Sequence, residues 1–204
     1  MKEIVLFSMP TENNREQLVK LLFPLEIKEK IVAYMPSNGH NTKQIYTDYW
    51  RSIAEKEGAE FLFVDNMLPD ESGEAEKILR ANILIISGGN TFELLNNLRQ
   101  SGLDRSIRDF AKKEDFILSG FSAGAIVLGP TIETATVPSG NDPNDLVDEN
   151  LVGLKDLTGL GLIAFEVFPH FEETKDRHIL EEYRQHSKYQ VREISDDGVL
   201  VLNI

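Results

Sequence analysis

Short apolar runs recur along the chain, separated by polar stretches whose few apolar residues are spaced as on a helix. Residues 4–7, 31–34, 61–64 and 83–86 are nearly all Ile, Val, Leu, Phe, Ala or Tyr and are too short for helices, so they predict buried strands. The stretches between them predict helices. Leu18, Leu21, Leu22 and Leu25 fall near helical spacing in a first helix over 14–23; a second covers 42–57, with Gly58 as its stop; a third covers 74–79. Strands alternating with helices at this rhythm indicate parallel units buried on both faces.

The second half keeps the rhythm at first. Helices are expected over 92–98 and 103–113, then a strand over 116–119 and a buried helix from Ala125. A β-branched run at 131–137 predicts a further strand, as do 163–168, and 174–186 predicts a helix. Finally 191–195 and 199–203 flank Asp196-Asp-Gly198, a hairpin signal. The expected fold is therefore α/β: one domain over 1–204 with a mostly parallel, doubly wound sheet, closing on a C-terminal antiparallel hairpin. Residues 138–145, dense in turn formers, predict a surface excursion at the mouth of any site, and 138–149 could close over a ligand.

Two glycine-rich turns follow successive predicted strands. Ser87-Gly-Gly-Asn-Thr91 ends one strand before a helix, so its amides can face an anion, or Asn90 or Thr91 can simply cap that helix. Gly120-Phe-Ser-Ala-Gly124 has the layout of a nucleophile elbow. There Ser122 sits on a strained turn, and flanking glycines allow backbone to approach where a Cβ would clash. In a doubly wound sheet both turns lie at the carboxyl edge, where ligands bind.

A serine hydroxyl needs a base. Of four histidines, His40 lies in a polar turn, and His178 and His186 fall on the late helix. His170 follows Pro169 at a strand's carboxyl end, on the predicted edge of Ser122. An acid should orient its ring. Asp196, Asp197 and Glu166 are candidates. Glu166 lies ~13 Å away along the strand, and Asp197 is the choice. The order serine, histidine, acid departs from the α/β-hydrolase order of serine, acid, histidine.

Composition narrows the partners. Thirty-four acidic residues against 21 basic ones give a net charge of −13, which speaks against nucleic acid or an anionic membrane as partner. There is no cysteine, hence no disulfide or thiolate chemistry, and no histidine pair or calcium-loop spacing that calls for a metal. No apolar run is long enough to span a membrane, and the first residues lack the pattern of a signal peptide. A cytoplasmic protein without cofactor, monomer or homodimer, is the expectation.

Together, Ser87-Gly-Gly-Asn-Thr91, Gly120-Phe-Ser-Ala-Gly-Ala125 and Phe168-Pro-His-Phe171 resemble the peptidase E family of serine peptidases. Those are aspartyl dipeptidases related to cyanophycinases, with a class I glutamine amidotransferase-like, flavodoxin-like fold. The resemblance implies Ser122 as nucleophile, His170 as base, and an oxyanion hole from Gly88 or Gly89 with Ala123. Its third member, a glutamate before a small residue, would be replaced by Asp197. Asn90 and Thr91 would bind substrate, and Lys175 or Arg177 would hold an aspartyl carboxylate. The implied substrate is a dipeptide with N-terminal aspartate. A β-aspartyl or isopeptide hydrolase on the same scaffold, a non-catalytic anion binder using the glycine turns, and an inactive family member are the rivals.

Overall fold

A computed structural model describes residues 1–41, 45–69, 72–138 and 148–204. Its strands are β1 (Lys2–Phe7), β2 (Ile31–Met35), β3 (Glu60–Phe63), β4 (Ile83–Ile86), β5 (Phe116–Phe121), β6 (Glu166–Phe168), β7 (Val191–Glu193) and β8 (Val199–Asn203). Its helices are α1 (Arg15–Leu22), α2 (Ile45–Lys56), α3 (Glu74–Arg80), α4 (Thr91–Ser101), α5 (Leu103–Phe110), α6 (Ala123–Val127) and α7 (Glu173–His186).

Six strands form one sheet in the order β3-β2-β4-β5-β1-β8. The first five are parallel, and β8 runs antiparallel along β1. Set aside β8, and this is the flavodoxin-like order 2-1-3-4-5 with the first strand standing where the fifth would be. Strand alternation divides the core. Ile4, Leu6, Ala33, Met35, Leu84, Ile86 and Leu118 face one layer, filled by α3, α4, α5 and α6. Val5, Phe7, Val32, Tyr34, Ile83, Ile85 and Ile117 face the other, filled by Leu18 and Leu22 of α1 and Trp50 and Ile53 of α2. All of β4 and β5 is buried, as a parallel strand covered on both faces requires. Each large side chain so removed from water contributes about 1.5–3 kcal/mol.

Two expected elements differ. The turn at Asp196-Asp-Gly198 forms, with the Gly198 amide donating to the Ser195 carbonyl, and the closing strand is antiparallel. Its partner, however, is β1, with Glu3 opposite Asn203, and not the preceding strand. β7 pairs in parallel with β6 in a separate two-stranded sheet, because Val191 packs with Phe168, Val137 and Leu180 of α7 in a small third core. No strand spans 131–137. Thr131 makes one bridge, to Thr158, and Glu133–Thr136 forms a 3₁₀ turn. Threonine hydroxyls explain this: Thr134 donates to the Val167 carbonyl and Thr136 to that of Glu133, taking acceptors that a ladder would not supply.

Most of the excursion expected over 138–149 lies outside the described residues, so its role as a lid does too. No helix among the described residues is long and apolar enough to cross a membrane.

Candidate active site

The carboxyl ends of β1, β4 and β5 meet at one edge of the large sheet, and the small sheet delivers its residues to the same place. Ser122 follows β5 directly with φ 49° and ψ −118°, a backbone conformation that costs a non-glycine residue roughly 1–3 kcal/mol. Its amide is tied to the Phe7 carbonyl of β1 at 3.0 Å, and its carbonyl accepts from Ala125 at 2.9 Å at the start of α6. The elbow's glycines are required by close approach. A Cβ on Gly124 would lie 2.1 Å from the Ile86 carbonyl oxygen of β4, and one on Gly120 2.4 Å from the Gly124 carbonyl oxygen. Both obstacles are backbone and cannot swing aside. Gly124→Ala is therefore expected to cost about 3 kcal/mol by forcing β4 and α6 apart; an unchanged urea midpoint would contradict this packing.

His170 stands two residues after β6, and it too has positive φ, 56°. Its backbone is held by its amide donating to Ser8 Oγ at 2.9 Å, while Ser8 Oγ donates to the Ile194 carbonyl at 2.8 Å. The ring bridges two partners: Nε2 lies 2.9 Å from Ser122 Oγ, and Nδ1 lies 2.7 Å from Asp196 Oδ1. A carboxylate can only accept, so Nδ1–H donates to Asp196, and Nε2 is left to accept from the serine hydroxyl. β6 and β7 are parallel, so residues just beyond each strand arrive at one end. That is how His170 and Asp196 meet.

The carboxylate that meets His170 is thus Asp196, not Asp197. Neighbouring side chains on this turn point apart. Asp197 turns to the loop after β1, where Thr11 Oγ1 donates to it at 2.6 Å and Asn13 Nδ2 at 2.8 Å. Those two donors hold its carboxyl below the usual carboxylate range. Asn14, itself buried, donates to the Asp196 carbonyl at 3.3 Å and steadies the same turn. Glu166 is away from the site, buried and satisfied by the hydroxyls of Thr131, Tyr183 and Ser187.

The glycine pair lies against Ser122. A Cβ on Gly88 would sit 3.0 Å from Ser122 Cβ, and Gly89, at φ 138°, leaves no room for one beside Ser37 Oγ. The amides of Gly88, Gly89 and Ala123 have no hydrogen-bond acceptor among the described residues. They are available to a negative oxygen formed next to Ser122, together with the N-terminus of α6.

Asn90 and Thr91 are occupied. Asn90 Oδ1 caps α4 by accepting from the Glu93 amide at 2.9 Å, and its Nδ2 donates to the Glu149 carbonyl at 2.8 Å. The Thr91 amide donates to Asp148 Oδ2 at 2.8 Å, and its hydroxyl donates to the same oxygen. Asp148, which no local pattern singles out, so stitches its segment to the glycine loop. Burial pushes its carboxyl up, against the two Thr91 bonds and the nearby His170. A carboxyl raised in the folded state keeps its proton where the unfolded chain has lost it, so its stability contribution declines as pH rises just above the ordinary aspartate value, about 3.9. Asp148→Asn should flatten that decline in thermal melts taken upward from about pH 4 while still accepting from Thr91. Asp148→Ala should instead cost about 1–3 kcal/mol by leaving buried Thr91 donors unpaired; identical melts for both variants would contradict this account.

Lys175 and Arg177 lie on α7 and are engaged there. Lys175 pairs with Glu172 at 2.6 Å; Arg177 pairs with Glu173 at 2.6 Å and Glu193 at 3.2 Å, and covers the Phe171 ring. Neither borders the cleft at Ser122. That cleft, of about 260 Å³, is closed by Met9, Ile45, Tyr46 and Phe121 around Ser122, His170 and the glycine pair. Among the described residues no group of three or more His, Asp or Glu is arranged to hold a metal ion.

A model of peptidase family S51 matches residues 4–203, almost the whole chain. This chain belongs to peptidase family S51. Among relatives, it is 28% identical over 153 residues to an uncharacterized peptidase of Pasteurella multocida, covering 73% of this chain and 69% of that one. Peptidase E of Salmonella typhi is 34% identical over 113 residues, covering 51% of this chain and 44% of the relative, so the match to peptidase E spans under half of that protein. In structure, the candidate peptidase E of Listeria monocytogenes EGD-e superposes with a TM-score of 0.74 at 22% identity, over 100% of this chain and 99% of that one. A peptidase from an acI-B1 actinobacterium gives 0.69 at 17% identity, over 100% and 84%. The S51 likeness thus extends over the large sheet and over the segments that bring Ser122, His170 and Asp196 together.

Proposed function

We propose that this family S51 chain is a serine-type peptidase that cleaves short peptides through an acyl-enzyme on Ser122. One observation carries the reading. Ser122 and His170, the two non-glycine residues with positive φ among those described, are hydrogen-bonded to each other. Strain that persists at two bonded side chains is a mark of function, since packing alone has no need of it.

In this mechanism His170 Nε2 takes the hydroxyl proton as Ser122 Oγ attacks the carbonyl carbon. Asp196 fixes the ring's tautomer and stabilises the imidazolium that forms. The amides of Gly88 or Gly89 and of Ala123 receive the oxyanion, each worth roughly 3 kcal/mol of barrier. His170 then protonates the leaving amine. Water attacks the acyl-serine by the same route, releasing the acid and restoring the enzyme. Lys175 and Arg177, which the resemblance would set against an aspartyl carboxylate, are paired instead with Glu172 just before α7, Glu173 on α7 and Glu193 on β7.

The test is covalent. A fluorophosphonate probe should add once to the wild-type protein, with the adduct mapped by mass spectrometry to Ser122, and short peptides should be hydrolysed by the wild type alone. Absence of both labelling and turnover in the folded protein would favour the anion-binding or inactive alternatives.

A further inference from the structure

The hydrogen bond between Ser122 and His170 joins residues that follow strands of two separate sheets. Ser122 follows β5 in the large sheet, whereas His170 and Asp196 follow β6 and β7 in the two-stranded one. The 2.9 Å between Oγ and Nε2 therefore depends on how one sheet is fixed against the other. The end of β1 holds both sides. The Phe7 carbonyl accepts from the Ser122 amide at 3.0 Å. The next residue, Ser8, is fully buried and its side chain turns to the other sheet. Its Oγ accepts from the His170 amide at 2.9 Å and donates to the Ile194 carbonyl at 2.8 Å.

One hydroxyl thus spans the strand ends that carry the imidazole and its carboxylate, donating once and accepting once. The Ile194 carbonyl also accepts from the Phe171 amide at 3.0 Å, so the bonds close around His170 from both sides. A non-glycine residue at φ 56° persists only where its surroundings hold it. From these observations we infer that Ser8 is a positioning residue: through two backbone bonds it sets His170 and Asp196 against Ser122, and it acts through His170 and not on the substrate.

For its effect on rate, the inference rests on the serine mechanism proposed above. Without the Ser8 hydroxyl, the His170 amide loses its acceptor and the Ile194 carbonyl keeps the Phe171 amide alone. The strained backbone at His170 is then free to relax, and the ring moves relative to Ser122 Oγ. A misplacement of about 1 Å costs on the order of 100-fold in rate.

The experiment compares Ser8→Ala with Ser119→Ala. Ser119 is buried in β5, and its hydroxyl donates to the Val5 carbonyl at 3.0 Å, a bond of the same kind that stays within the large sheet. Ser8→Ala is expected to lower kcat by about 10–100-fold with KM within about threefold of wild type, while Ser119→Ala keeps kcat within about threefold. ¹⁵N spectra of the imidazole, read through its carbon-bound protons, give a readout apart from activity. In the neutral ring of the wild type, His170 is expected as the Nδ1–H tautomer that donates to Asp196; in Ser8→Ala the Nε2–H form should gain population. Ser8→Cys, close in volume but a weak donor and acceptor, should behave like Ser8→Ala and replaces it if the alanine variant does not fold. A kcat for Ser8→Ala equal to that of Ser119→Ala, a loss confined to KM, or an unchanged tautomer would overturn the inference while sparing the serine mechanism. A wild type that neither labels with the fluorophosphonate nor turns over would end that mechanism. The tautomer in Ser8→Ala would then decide alone: a change keeps Ser8 as the residue that places the ring, and no change removes it.

Discussion

Ser122→Ala is expected to lower kcat by roughly 10⁴–10⁶-fold while the protein remains folded, since in the proposed mechanism the hydroxyl oxygen forms the acyl bond. His170→Ala should cost a similar factor, and the double variant should be little worse than either, because the two side chains act as one unit. A residual rate above water would come from the amides of Gly88, Gly89 and Ala123, which neither change removes. Stability offers an independent reading of the same residue. Alanine at 122 must still adopt φ 49° and ψ −118°, whereas glycine adopts it freely. Relief of roughly 1–3 kcal/mol of strain outweighs the ~0.4–1 kcal/mol by which glycine loosens the unfolded chain. Ser122→Gly should therefore be inactive like Ser122→Ala and melt at a higher temperature. Equal melting temperatures would mean that the elbow is not strained. Activity of Ser122→Ala within tenfold of wild type would end the nucleophile assignment.

What could be read from the chain divides along the range of the interactions involved. The parallel core was legible because its strands are short apolar runs, the central ones such as 83–86 buried on both faces. The elbow was legible because its glycines are local to Ser122. The nearness of His170 to Ser122 followed from both residues ending strands. Pairings across the chain were another matter. β8 finds β1 nearly 200 positions away, in a register set by the open sheet edge, while the local Asp-Asp-Gly signal described only the turn. Asp148 acts on Thr91 across 57 positions, and nothing in its own neighbourhood marks it. The same limit applies to Asn90: capping and substrate binding demand the same residue, and only its contacts to Glu93 and Glu149 separate them.

Asp196 and Asp197 are the sharpest case, and they carry the other large effect. Two adjacent aspartates on one turn are equivalent by type and position, yet one faces His170 and the other faces Thr11 and Asn13. Asp196→Ala is expected to lower kcat by roughly 10²–10⁴-fold, since His170 loses the acceptor that holds Nδ1–H inward and the counter-charge for the imidazolium. Asp197→Ala removes contacts that only brace the turn, and activity should stay within about tenfold of wild type. Asp196→Glu keeps a carboxylate one methylene longer on an exposed turn, and should recover part of the rate. Asp196→Asn should not, because an amide can donate to Nδ1 and favour the wrong tautomer. The readout is kcat for the four variants on one common peptide, with thermal melts to show that each is folded. A larger loss in Asp197→Ala than in Asp196→Ala would exchange the two roles. Equal small losses would mean that His170 works without a carboxylate, with Ser8 and the Ile194 carbonyl holding its backbone as the remaining source of orientation.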